Sequence, residues 1–243
     1  MLAIFSKEFN SFFSTSIGFI VVVLFLVSVG SLIWIIPGPY NIFDLGYVNL
    51  IPFFEVLPWV FSFLIPAVCM RSFSEEKKQG TLELLLTKPL SLNQLIVGKF
   101  LGCLCLSIIA ILPTFFYLIS LSALAGNEVS VDYGVIFSSY FGIILLVSCL
   151  TSIGIFVSSM SSNQIVAFVY GTVISLFLYF GFNGLSSISI GDSQLYALDY
   201  LGMSYHFKSI TRGILDSRNL IYFLSISIFF LALTRFQLKS LSE

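Results

Sequence analysis

The sequence predicts an all-α integral membrane protein with six spans, and three observations lead there. Hydrophobic residues make up 58% of the 243-residue chain and charged residues 9%, against about 45–50% and about 25% in soluble domains. So few charges cannot cover the surface of a water-soluble fold. The charges are also gathered: charge-free runs cover 9–43, 56–70, 100–127, 133–191 and 219–234. Finally, a helix needs about 20 residues to cross the hydrocarbon core, and these runs, with their flanks, divide into six such lengths. We read the chain as a single transmembrane domain, 1–243, with spans near 14–36, 52–70, 100–124, 134–157, 164–185 and 218–237.

Orientation follows from the cations. With the N-terminus inside, Lys7, Arg71, Lys77, Lys78, Lys88, Lys99, Arg235 and Lys239 are cytoplasmic, leaving Lys208, Arg212 and Arg218 outside. That asymmetry obeys the positive-inside rule and places both termini in the cytoplasm. The first apolar run is too long for a signal-peptide core and no clear small-residue cleavage site follows it, so it is expected to be retained.

Along the chain, residues 1–13 place Ile4, Phe5, Phe9, Phe12 and Phe13 near one helical face, away from Lys7 and Glu8. This pattern suits either a helix lying in the cytoplasmic interface or an early start to span one. The loops at 37–51, rich in Pro and Gly, and at 125–133 are expected to turn, and "SSMSSN" at 158–163 is a tight uncharged link. Cys69, Cys103, Cys105 and Cys149 fall in or beside spans and read as small buried hydrophobes. Between spans five and six, Leu195, Leu198, Leu201 and Tyr205 recur at helical spacing among charges. One or two amphipathic outer helices are expected there, broken near Gly191, Gly202 and Gly213. Residues 194–205 are expected to be a helix capping the outer end, with Leu195, Leu198 and Leu201 as its gate. His206, the single histidine, has no ligand or base partner in motif spacing and reads as interfacial.

The segment 71–100, "RSFSEEKKQGTLELLLTKPLSLNQLIVGKF", holds eight of the 23 charged residues. Ser72 and Glu75 have capping-box spacing, and Gly80 stands where a left-handed closing residue is needed. Thr81 is expected to cap a short helix over Leu82 to Thr87, with Glu83 at its positive end and Pro89 as its stop. Ser91 and Gln94 form a second capping box, opening a helix through Gly98 and Lys99 into span three. The short leucine-rich helix offers its apolar side either to the bilayer surface or to a protein partner.

Several chemistries are missing. "GKF" at 98–100 departs from a phosphate-binding P-loop, having Asn93 for the first glycine and Phe100 for the magnesium-binding hydroxyl. There is no H-E-x-x-H, no G-x-S-x-G, and no pair of acidic residues deep in the spans of the kind that marks an ion-coupled pathway. No catalytic residue, metal site or cofactor site is expected on this chain, and nucleic acid is not expected as a partner.

Residues 71–99 resemble the permease subunits of ABC-2 type exporters. The resemblance rests on Arg71, Glu75-Glu76-Lys77, Gly80-Thr81-Leu82-Glu83, Leu85-Leu86, Pro89 and Gly98-Lys99, and the six-span plan extends it over the chain. Within that family "HFKSITRGILDSRNLIYFLS" at 206–225 is similar to the permease subunit of gliding-motility ABC transporters. The resemblance implies that these residues form a coupling helix docked on a separate ABC ATPase subunit, which holds ATP and Mg. It also implies a second permease chain, identical or related, in a bacterial inner membrane. A pathway rich in Phe, Leu, Ile and Ser suits amphipathic or lipid-like cargo, and is compatible with polymers or peptides. A six-span channel or scaffold without an ATPase is the alternative, distinguished by lacking any need for the capped helix.

Overall fold

The computed structural model describes residues 1–44, 49–86, 91–125, 132–187 and 196–240. Among them every regular element is helical, and six helices are long and apolar enough to cross a membrane. The first is α2 (Ile17–Trp34), preceded by a separate α1 (Leu2–Ser14). The chain breaks at Thr15 and Ser16, which decides between the two readings of the N-terminus: α1 is its own helix and does not extend span one. The second span is α3 (Ile51–Cys69), which runs with a one-residue interruption into α4 (Arg71–Lys78). A short α5 (Thr81–Leu86) follows.

The third span is α6 (Leu92–Ile111), a 3-10 turn at Leu112–Phe115, and α7 (Phe116–Ala125). Pro113 lies in that turn, where it cannot donate the helical hydrogen bond. The fourth is α8 (Tyr133–Met160). The fifth is α9 (Gln164–Leu176), a π-helical turn at Phe177–Gly181, and α10 (Phe182–Ser187). Short α11 (Tyr196–Asp199) and α12 (Met203–Thr211) lead to the sixth, α13 (Ser217–Lys239). The starts are fixed by side-chain caps: Asp132 accepts from Val135 N–H, Asn163 from Ile165 N–H and Asp216 from Arg218 N–H. The Ser91–Gln94 capping box closes as expected.

Helix α8 is the centre of the bundle. Its most apolar stretch is 72% buried, against 28% for α2 and 22% for α13, and it packs on α3, α4, α6, α9, α12 and α13. By contrast α2 buries only the stripe Gly18, Val21, Phe25, Val29 and Ile33, leaving Phe19, Ile20, Val23, Leu24 and Val27 exposed. A span with one covered stripe sits at the rim, its other faces suited to lipid or a further chain.

Between spans five and six the two short helices expected, α11 and α12, are present and break at Gly202 and Gly213, but the expected cap is not. No single helix covers 194–205: α11 ends at Asp199 and α12 begins after Gly202. Leu195 lies outside the described residues, Leu198 is half-buried and Leu201 is 55% exposed. The residues that enter the core are Met203, Phe207 and Ile210 of α12, so the helix that dips into the bundle begins where the expected cap was to end. His206 is buried too. It stacks on Tyr222 at 3.9 Å, with Nδ1 bonded to Asn219 and Nε2 facing the Tyr200 carbonyl oxygen. It pins α12 to α13.

Candidate functional site

The segment singled out by sequence is built as a short arm on a braced base. Because α4 prolongs α3, Ser72 is an interior residue and not a cap: the Ser72–Glu75 box is absent and Glu75 pairs with Arg71 at 3.0 Å. The inner face of α4 is clamped to the end of α8. The N–H groups of Phe73 and Ser74 donate to Ser158 Oγ at 3.0 and 3.2 Å, and Ser158 Oγ donates to the Met70 carbonyl at 3.0 Å. Lys77 Nζ donates to the Ser159 carbonyl, a cation at a helix C-terminus where the exposed carbonyls favour it. The last turn of span four thus supplies the clamp.

The centre of the base is Lys99, 1% exposed. Its ammonium lies 2.8 Å from Glu8 of α1 and 2.9 Å from Glu76 of α4, and donates to the Ser72 carbonyl at 2.6 Å. The Phe73 ring lies 5.0 Å away, within cation–π reach. Lys7 adds a fourth charge, 3.1 Å from Glu76. Two positive and two negative groups therefore join three helices remote in sequence. Glu76 Oε2 is buried with no hydrogen-bond partner among the described residues.

Close packing makes this possible. A Cβ at Gly98 would sit 2.9 Å from Ile4, and one at Gly102 would sit 2.8 Å from Glu8. The two glycines, four apart on α6, form a small-residue groove in which α1 lies. Glu8 reaches Lys99 only because that groove admits the helix.

Beyond the base, Gly80 takes φ +68° and ends α4, as the sequence requires of a left-handed closing residue. Thr81 is the first residue of α5 and not its cap; its hydroxyl donates to the Glu76 carbonyl at 3.3 Å. Leu82 turns inward and is buried, Leu85 is half-buried and Glu83 is exposed. The side chain of Leu86, together with Thr87 and Pro89, lies outside the described residues. A cleft of about 520 Å³ separates α1 from α4 and α5, with Glu8, Arg71, Glu75, Glu76 and Leu85 on its walls.

Nine of the thirteen residues carried by the motif thus divide. Glu76, Lys77, Leu82, Gly98 and Lys99 face or serve the interior, while Arg71, Glu75, Gly80 and Glu83 are accessible. Sequence reading missed Lys7 and Glu8 on α1 and Ser158 and Ser159 on α8. Two signals pointed to the first pair: they are the only charges in the first 43 residues, and Gly98-x-x-x-Gly102 marks a helix-packing groove. Among the described residues the site is a set of ion pairs and hydrogen bonds that ties α1, α4, α6 and α8 together.

A family model described as ABC-2 family transporter protein matches residues 2–225. No curated protein matches the chain.

Proposed function

The chain belongs to the ABC-2 transporter family, whose members are membrane permease components that associate with an ABC ATPase, and on that premise we propose that α4 and α5 are the coupling element of an ATP-driven exporter. In this reading α5 and the accessible face of α4 dock on the ATPase subunit, which carries ATP and Mg. Arg71, Glu75 and Glu83 are the polar contacts, and Leu85 belongs to the apolar part of the grip. Glu76, Lys77 and Lys99 act one step behind the contact by holding the arm to α1, α6 and α8. The α4–α5 end, both termini included, faces the cytoplasm of a bacterial inner membrane, and two permease chains enclose the pathway. The likeness of 206–225 to gliding-motility permeases supports a role for the complex in that machinery.

The observation that carries this reading is the contrast between arm and base. A short helix ending in exposed polar groups is mounted on α4, which is itself fixed by a buried ion cluster and a serine clamp. A loop packed only for stability would not need such a base. The test uses the permease co-expressed with its ATPase and purified in detergent. Glu83→Lys reverses a charge at the positive end of α5. Gly80→Val forces a β-branched residue to φ +68°, a strain of about 1–2 kcal/mol, although its Cβ would meet nothing within 4 Å. Both variants should insert and remain folded, and should lose ATPase co-purification or uncouple hydrolysis from export. Normal complex yield and export in both would remove the coupling role and favour an ATPase-independent scaffold.

A further inference from the structure

At the opposite end of the bundle a second cleft, of about 540 Å³, opens between the starts of α3 and α8, the end of span five, and α12. Its volume falls in the range of roughly 300–1,000 Å³ typical of small-ligand sites. One wall carries Glu55 and Trp59, a turn apart on α3, and Trp59 stacks on Phe180 at 3.9 Å. Tyr179 lines the cleft beside them, 5% exposed, and its hydroxyl has no hydrogen-bond partner among the described residues. The π-helical turn brings both ring-bearing neighbours, Tyr179 and Phe180, to this wall; such turns insert one extra residue and are frequent at functional sites. The facing wall carries Lys208 and Arg212, again a turn apart. Neither cation, nor Glu55, forms an ion pair among the described residues. Phe54 and Phe207 supply apolar surface between the two walls.

We propose that this cleft binds the zwitterionic headgroup of a phospholipid or phospholipid-like amphiphile. The ammonium lies at Glu55 and the Trp59–Phe180 pair, and the phosphate at Lys208 and Arg212. A carboxylate beside aromatic faces recognises an alkylammonium by charge and by the ring quadrupole. Lysine and arginine on the other wall recognise phosphate through charge-assisted hydrogen bonds. The unpartnered Tyr179 hydroxyl offers one more donor. A purely anionic ligand would leave Glu55 opposed to it, and a purely cationic one would leave Lys208 and Arg212 opposed. The two walls therefore select a molecule carrying both charges. The assignment concerns binding by this chain alone and does not depend on the coupling role of α5.

The test uses the purified full chain with Trp34→Phe, which leaves Trp59 as the only tryptophan. Short-chain phosphatidylethanolamine, short-chain phosphatidylglycerol and a simple alkylammonium are titrated below their micellar concentrations while Trp59 fluorescence is followed. Phosphatidylethanolamine should bind tightest. Glu55→Gln should weaken it about tenfold and leave phosphatidylglycerol unweakened, whereas the pair Lys208→Gln and Arg212→Gln should weaken both lipids at least about tenfold. All three charges are exposed, so circular dichroism and gel filtration should be unchanged. Equal binding of the three amphiphiles, or phosphatidylethanolamine affinity unmoved by the variants, overturns the site in favour of partition onto the apolar surface. In proteoliposomes with the co-purified ATPase, two sources of the same headgroup separate. ATP-driven movement of headgroup-labelled lipid between leaflets marks it as cargo, and lipid retained through turnover marks it as resident; either result upholds the site.

Discussion

Replacing Lys99 by Met tests whether the buried cluster holds α1 to α4 and α6. The ammonium is almost wholly buried and bridges Glu8 and Glu76 at 2.8 and 2.9 Å. Met keeps most of the volume and removes the charge, leaving two carboxylates facing each other and the Ser72 carbonyl without its donor. Breaking a buried pair from one side costs about 3–5 kcal/mol. Lys7 remains 3.1 Å from Glu76, but its side chain is 60% exposed and it supplies only partial compensation. The lower end, about 3 kcal/mol, is therefore expected, or roughly a hundredfold more of the state in which α1 is detached. Hydrogen exchange across Leu2–Ser14 in the detergent-purified protein measures that state. Amides in this helix should exchange about a hundredfold faster, with α8 unaffected. Glu8→Gln alone leaves Lys99 with Glu76 and Ser72 and should cost about 1–2 kcal/mol. The triple variant Lys99→Met, Glu8→Gln, Glu76→Gln removes all three charges and should recover much of the protection. Unchanged exchange in Lys99→Met, or additive effects of the three changes, would refute the brace.

Topology is checked with cysteines at two exposed positions in a background freed of the native thiols. Gln79→Cys should be shielded from membrane-impermeant maleimide in intact cells and Ser217→Cys labelled; the reverse pattern inverts the orientation. At the other end Ile210, 1% exposed, packs against Gly142 of α8. Ile210→Ala should lower thermal stability in detergent by about 2–5 kcal/mol, while ATPase co-purification stays normal because α4 and α5 lie at the far end. Loss of ATPase binding with unchanged stability would show that the two ends are not separable.

The spans were legible because one physical variable, the length of charge-free sequence against bilayer thickness, determines them. Gly80 was legible for a similarly local reason: only a residue without a Cβ takes φ +68° comfortably after a helix end. The failures share a cause as well. Ser72 and Glu75 have capping-box spacing, but α3 runs almost directly into α4, so the start that they would cap never exists. Leu195, Leu198 and Leu201 fit one helical face, yet Gly202 ends the pattern and the buried face restarts at Met203. His206 showed no motif partner because its partners, Asn219 and Tyr222, come from another helix. The Lys99 cluster depends on Glu8, ninety-one residues away, and no periodicity encodes a contact at that separation.

The two ends of the bundle use charge in opposite ways, and α8 connects them. At the α4–α5 end Lys99 and Glu76 are buried and, with Glu8 and Lys7, mutually neutralised, which fixes α1, α4 and α6 in one register. At the other end Glu55, Lys208 and Arg212 form no ion pair among the described residues and stand around a cleft, available to something that enters. Helix α8 touches both: Ser158 and Ser159 hold α4, while Ser138 and Ser139 donate to the carbonyls of Ile210 at 3.1 Å and Thr211 at 3.4 Å on α12. Its 28 residues form about 42 Å of helix without an internal proline. The cleft's other walls are softer by construction. Pro58 and Pro66 each remove a backbone hydrogen bond from α3, and the π-helical turn interrupts span five. A displacement applied at α5 therefore meets one stiff rod and two interrupted helices. The interrupted helices carry Glu55, Trp59, Tyr179 and Phe180, while the rod is clamped to the helix bearing Lys208. Under the proposed coupling role, bending at the interruptions would move the Glu55 wall of the cleft against the Lys208 wall.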